Sequence, residues 1–231
     1  MNTKCKLCQQ MINYKINLAW IFSFKPIKEK FICKDCYQKF EFIQLPICEG
    51  CGRKSNDKTC LDCVKWEKKQ KKLLKNRALL VYQNQATKEY FNLYKFIGDY
   101  QLRKIFQNKF EKMIMQNYPL KHWIYVPIPV NKSTQEHERM FNQVVGLIEN
   151  LPYVELLAVD ENLHQIKQVE KNRIDRIHTP QPFKFNGKID LKGKNILLVD
   201  DVYTTGTTLY HAQQIMFEHG AKKVHSITLA R

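Results

Sequence analysis

Beyond Cys63 the 231-residue chain contains no cysteine. It has no unbroken apolar run of about 18 residues, which excludes a membrane-spanning helix. No apolar block with a small-residue cleavage site opens the chain, so no secretory leader is expected and a cytoplasmic setting is. Glycine and proline number eight each, too few for a collagen-like or low-complexity chain. Acidic residues are scarce beside basic ones, 22 against 38, for a formal net charge of +16. A field of that sign favours polyanions such as nucleic acid, anionic lipid or a polyphosphate. A solvated lysine-rich surface would leave the same composition. The charge is uneven: residues 1–75 carry 17 basic and 7 acidic side chains, a net of +10. With 44% hydrophobic residues the chain can bury a core and is not disordered.

All eight cysteines lie within residues 5–63, as four Cys-x-x-Cys pairs: Cys5/Cys8, Cys33/Cys36, Cys48/Cys51 and Cys60/Cys63. In a cytoplasmic protein this reads as zinc rather than disulfides. Two residues between thiolates let one tight turn aim both sulfurs at one ion, and two such turns complete a tetrahedron. The simplest assignment is sequential, with the first two pairs on one Zn²⁺ and the last two on another; an interleaved assignment satisfies the same count. Four filled positions per ion make both sites structural. Gly52 can supply the positive φ that a metal knuckle needs. Trp20, Phe22 and Phe24 beside Lys25, Lys28 and Lys30 either pack the ribbon or stack and neutralise a single-stranded nucleic acid. A segment this short folds mainly on metal binding. Domain boundaries are expected at 1–67 for a double zinc ribbon, 68–76 for a basic linker and 77–231 for a second domain.

The second domain reads as α/β. Strands are predicted at 78–82, 123–126, 154–159, 194–199 and 224–229, and helices at 87–97, 100–116, 138–150 and 207–219. Residues 160–182 form a long polar segment, functional or mobile. The run Ile196-Leu197-Leu198-Val199 is a buried parallel strand. Asp200 and Asp201 sit at its carboxyl end, where ligand sites of such sheets lie. Val202 and Tyr203 lead into Thr204, Thr205, Gly206, Thr207 and Thr208, which open a helix. Hydroxyl residues around a glycine at a helix N-terminus expose backbone N–H groups to a phosphate. The neighbouring carboxylates repel phosphate but accept hydrogen bonds from a vicinal diol, or hold a metal's water shell. A phosphate beside a diol describes a ribose 5-phosphate.

Residues 196–208 (ILLVDDVYTTGTT) resemble the phosphoribosyl pyrophosphate (PRPP) loop of type I phosphoribosyltransferases. Together with the four cysteine pairs, the whole chain resembles the ComF family of competence proteins. Supporting segments are Lys95-Phe96-Ile97-Gly98-Asp99, Val126-Pro127-Ile128-Pro129, Arg139-Met140-Phe141-Asn142-Gln143, Arg173 and Leu229-Ala230-Arg231. The resemblance implies a type I phosphoribosyltransferase-like α/β fold, a mainly parallel sheet flanked by helices, behind an N-terminal double zinc ribbon. It implies a PRPP-binding run from Asp200 to Thr208 that includes Val202 and Tyr203, in which Asp200 and Asp201 bind the ribose hydroxyls and Thr204 to Thr208 hold the 5′-phosphate. Val126, Pro127, Ile128, Pro129, Val130 and Asn131 would form the pyrophosphate loop, and Arg139, Lys167, Lys171 and Arg173 would contact phosphate or pyrophosphate. Mg²⁺ would arrive with PRPP. The implied role is DNA uptake: handling single-stranded DNA in the cytoplasm or at the inner face of the membrane, with a helicase partner and peripheral association with the uptake channel. Two other readings follow from the same family, an active phosphoribosyltransferase with an unknown acceptor and a scaffold linking helicase to channel. Met140 stands where the family has glycine, and its side chain would obstruct a close backbone approach there. Residues 76–110 are the only sizeable cover left for the site and carry no base-recognition pattern.

Overall fold

The structure, a computed structural model, describes residues 3–12, 22, 29–70, 72–95, 97–130, 141–160, 181–187 and 189–231. The strands are β1 (Lys75–Leu80), β2 (Ile124–Pro127), β3 (Leu157–Val159), β4 (Phe183–Phe185), β5 (Asn195–Val202) and β6 (Lys223–Ala230). The helices are α1 (Lys34–Gln38), α2 (Leu61–Gln70), α3 (Gln85–Lys95), α4 (Gln107–Asn117), α5 (Gln143–Leu147) and α6 (Thr207–Glu218), with a 3₁₀ segment over Tyr100–Ile105.

Four strands pair in parallel in the order β1-β6-β5-β2, and β3 and β4 form a separate antiparallel pair. The apolar run explains the centre of the sheet. Ile196, Leu197, Leu198 and Val199 are all fully buried, and β5 bonds to β6 on one side and β2 on the other. The strand period of two splits the run between two cores. Leu197 and Val199 join Tyr90, Phe106 and Phe110 of α3, the 3₁₀ turn and α4. Ile196 and Leu198 join Leu209, Ile215 and Met216 of α6. Both faces are thus covered, as a parallel sheet requires. The second core also takes in Cys48, Cys51, Cys60 and Cys63, so the second cysteine quartet packs on the α6 face of the sheet.

Local departures from the expected elements have identifiable causes. β1 starts at Lys75 rather than residue 78 because its polar start is half buried: Asn76 points inward while Lys75 and Arg77 stay exposed. The Asn76 amide donates to the Cys51 carbonyl at 3.0 Å and to Thr228 Oγ1 at 3.3 Å, and it accepts from Ser226 Oγ at 2.9 Å. No apolar pattern marks such a network. Of residues 68–76, the first three complete α2 and the last two open β1. The helix expected over 100–116 is divided at Phe106, with a 3₁₀ turn capped by the Asp99 carboxylate before it and α4 after it. Of the helix expected over 138–150, residues 138–140 lie outside the described residues, and among the described ones it runs over Gln143–Leu147, started by Asn142, whose side-chain carbonyl oxygen accepts from the Val144 and Val145 amides. A bidentate Arg103–Glu149 pair, 2.7 and 2.8 Å from Nη2 to the two carboxylate oxygens, ties the 3₁₀ turn to the end of that region.

Candidate functional site

The cysteines gather into two quartets, Cys5/Cys8/Cys33/Cys36 and Cys48/Cys51/Cys60/Cys63, with the sulfurs of each all within 4.8 Å of one another. This is the sequential pairing. Zinc–sulfur bonds of about 2.3 Å in a tetrahedron place sulfurs about 3.8 Å apart. Cys8 and Cys33 are 3.8 Å apart and Cys51 and Cys60 are 3.7 Å apart, so the residues present fit Zn²⁺. Backbone amides also point at sulfur: Cys33 N to Cys5 Sγ at 3.4 Å and Cys60 N to Cys48 Sγ at 3.3 Å. Burial raises the Cys5 thiol, but the amides of Cys8, Cys33 and Leu7 bring it down to about 7. Cys51 falls to about 3, first through its hydrogen bond with Cys63 and, against burial, through the Arg53 amide and the Arg231 guanidinium. Gly52 takes φ +75°, and a Cβ there would meet the Asn76 carbonyl oxygen at 2.7 Å. This glycine both turns the knuckle and lets it approach β1.

The acid pair lies at the carboxyl end of β5. Asp200 is half-buried and Asp201 is buried. The Asp201 amide donates to its neighbour's Oδ1 at 2.9 Å. Lys95, at the end of α3, places its ammonium 2.7 Å from Asp201 Oδ2. Then the chain turns through Gly206 at φ +88° and enters α6. A Cβ at Gly206 would collide with the Tyr203 hydroxyl, so position 206 requires glycine on two grounds. Gly206 brings no side-chain cap to α6. Thr205 Oγ1 and Thr207 Oγ1 lie 3.0 Å apart, and the Thr207 amide points at Thr205 Oγ1 at 3.4 Å. Hydroxyls, amides and the positive end of a 12-residue helix therefore converge beside two carboxylates.

Two side chains outside the loop hold it. The Trp66 indole N–H donates to the Thr205 carbonyl at 2.9 Å, and its ring stacks on Tyr210 at 4.3 Å between centroids. Arg231 donates to the carbonyls of Tyr203 and Thr204 at 3.2 and 2.9 Å and lies over the Tyr203 ring. Tyr203 is buried and its phenol is pushed up by that burial. Trp66 follows Cys63 by one helical turn, and Arg231 also faces Cys51. The second cysteine quartet and the candidate phosphate loop thus share two supporting residues.

β2 delivers its own turn beside this loop, because β2 and β5 are adjacent and parallel. Val126, Pro127 and Ile128 are buried, Pro129 and Val130 are half-buried, and the Ile128 amide bonds the Val199 carbonyl at 2.9 Å. Asn131, Arg139, Met140, Lys167, Lys171 and Arg173 lie outside the described residues, as do Trp20, Phe24, Lys25, Lys28 and Phe96. Phe22 is exposed. Sequence reasoning gave Lys95 and Arg231 no role beyond the motifs they sit in, and it passed over Trp66. A lysine ending a helix, an arginine after a strand and a tryptophan in a lysine run carry no periodic signal. Only the tertiary fold brings them to the loop.

The phosphoribosyl transferase domain family matches residues 139–231. The competence protein ComFC of Streptococcus pneumoniae is 34% identical over 230 residues, covering 99% of this chain and 100% of that protein. ComFC of Bacillus subtilis is 34% identical over 234 residues, covering 98% and 94%. A short stretch is 53% identical over 36 residues to the ribose-phosphate pyrophosphokinase of Pyrococcus furiosus, covering 16% of this chain and 13% of that enzyme.

Proposed function

The chain belongs to the ComFC family of competence proteins, and from that premise we propose that it handles single-stranded DNA during uptake and binds PRPP, or a related ribose phosphate, at residues 200–208. The observation that carries the pocket is the acid pair followed by a glycine-turned amide and hydroxyl cradle, all at the carboxyl end of β5. In this reading Asp200 and Asp201 accept hydrogen bonds from the ribose hydroxyls, Val202 and Tyr203 lead the chain into the loop, and Thr204 to Thr208 hold the 5′-phosphate. Lys95 fixes the Oδ2 side of Asp201, so the carboxylate is oriented before ligand arrives. The turn from Val126 to Val130, continued by Asn131, faces the pyrophosphate, with Arg139, Lys167, Lys171 and Arg173 as the further cations. Mg²⁺ would arrive with PRPP and offset the charge of its pyrophosphate, and Asp200 and Asp201 are the residues that would hold its water shell.

The reading divides the chain into a double zinc ribbon over 1–67, a basic segment over 68–76 and a phosphoribosyltransferase-like domain over 77–231. It places the protein in the cytoplasm, at the inner face of the membrane where a channel and a helicase pass the strand on. No helix among the described residues is long and apolar enough to cross a membrane. The phosphoribosyl transferase match favours a second reading, in which an acceptor displaces pyrophosphate at C1 of PRPP and the 126–131 turn stabilises the departing charge. Pyrophosphate release in the presence of one base from a panel supports catalysis; none across the panel leaves binding alone. DNA handling is tested by fluorescence anisotropy with a labelled oligonucleotide at rising salt. Tight binding at about 50 mM salt that weakens steeply by about 200 mM supports it. Absence of binding at the lower salt overturns it.

A further inference from the structure

The sheet has a second end. Its amino edge, opposite the acid pair, opens into a cleft of about 510 Å³ between the Cys48 knuckle and the starts of β1, β2 and β6. That volume falls within the range of ligand clefts, about 300–1,000 Å³. Three rings meet on its wall. Trp123 and Tyr118 lie 5.0 Å apart, edge to face, and His225 lies 4.8 Å from Trp123. Trp123 is only half-buried, so part of its indole remains open to the cleft. Lys75 and Arg77 line the same space from the exposed face of β1. Burial first, and then the charges of Lys75, Lys223 and Arg77, push His225 down to about 4, so three cationic fields converge on this wall. The acidic group lining the cleft is Glu49, which sits 3.8 Å from the Lys58 ammonium.

We propose that this amino-edge cleft, walled by Trp123 and Tyr118 and charged by Lys75 and Arg77, is where the protein grips single-stranded nucleic acid. The half-buried Trp123 indole offers the face that accepts bases of any identity by stacking, the buried Tyr118 backs it edge-on, and the adjacent cations accept the phosphates between bases. The proposal rests on the DNA-handling reading above and assigns it a place. Because the cleft and the 200–208 loop occupy opposite ends of parallel strands, strand and ribose phosphate bind without competing.

The test is anisotropy with a labelled oligothymidine and the full, zinc-loaded chain. Replacing the two exposed cations in Lys75→Gln/Arg77→Gln removes two phosphate contacts, so the log–log salt slope should become shallower by about 1.4. Trp123→Ala should weaken binding about tenfold at unchanged salt slope, and Trp123→Phe should restore most of it. Saturating PRPP with Mg²⁺ should leave the affinity unchanged. Circular dichroism melts identify any variant that fails to fold, and the exposed-cation pair keeps the test intact if Trp123→Ala does. Wild-type binding that every folded variant retains in full overturns the cleft and leaves the DNA reading standing. Absence of wild-type binding at about 50 mM salt overturns both. Equal competition by polyglutamate of matched charge overturns the proposal in favour of an acidic-peptide site.

Discussion

Lys95 and Asp201 pair at 2.7 Å with side chains only 17% and 11% exposed, so solvent screens the contact little. Removing the ammonium alone strands a buried carboxylate. Lys95→Met is therefore expected to destabilise the fold by about 3 kcal/mol, read from urea unfolding. Gly206 presents a different single-residue constraint. Alanine there meets both the left-handed φ and the Tyr203 hydroxyl. Gly206→Ala should cost at least about 2 kcal/mol in the same assay, and PRPP binding should be lost beyond what the lower stability explains. At this scale the sequence was legible where chemistry is written in adjacent residues. Asp200, Asp201 and the threonine–glycine run announce themselves by order. Lys95 is distant from them in the chain, and Asn76 is a polar residue buried by its partners, so neither could be read without the fold.

Among elements, α2 links two sites. It leaves the second cysteine quartet at Cys63 and presents Trp66 to the Thr205 carbonyl one turn later. Losing that hydrogen bond while keeping an aromatic stack, as in Trp66→Phe, should weaken PRPP binding about tenfold by calorimetry with little change in the melt. Chelating the metal should release two Zn²⁺ per chain, lower the melting temperature and weaken PRPP binding, because Arg231 and Trp66 lose their shared anchor. β6 carries a pH dependence. His225 titrates near 6.5 when unfolded and near 4 in the fold. The folded state therefore resists protonation, and stability should fall as pH drops from about 6.5 towards 4. Lys75, Lys223 and Arg77 face the ring and set the sign together with burial. His225→Gln should flatten that part of the pH–melting curve. Long apolar strands such as β5 were legible from composition alone. The break at Phe106 was not, since a 3₁₀ turn preserves nearly the same apolar spacing as the helix that follows it.

For the whole molecule, the polarity of the parallel sheet separates the two proposed sites. Its carboxyl ends carry the acid pair and the threonine–glycine loop, while its amino edge carries the basic aromatic cleft. The cysteine quartet packed on the α6 face lies within reach of both: Cys51 faces Arg231 behind the loop, and the Cys48 knuckle forms a wall of the cleft. Fold class and the presence of two cysteine quartets were legible because metal spacing and apolar runs are local signals; which pairs share an ion was not, because sequential and interleaved assignments satisfy the same spacing and the fold alone decides between them. The way ribbon and sheet share one core was not, because the contact is made by cysteines and a buried asparagine rather than by an amphipathic face.

A ribose-phosphate pocket at residues 200–208 is the central claim, and calorimetric titration of the zinc-loaded protein with PRPP and Mg²⁺, beside Asp201→Asn, tests it most directly. Micromolar binding by the intact protein, abolished in a variant that still folds, is the predicted result. No heat of binding from the intact, folded protein would contradict it, as would undiminished binding by Asp201→Asn.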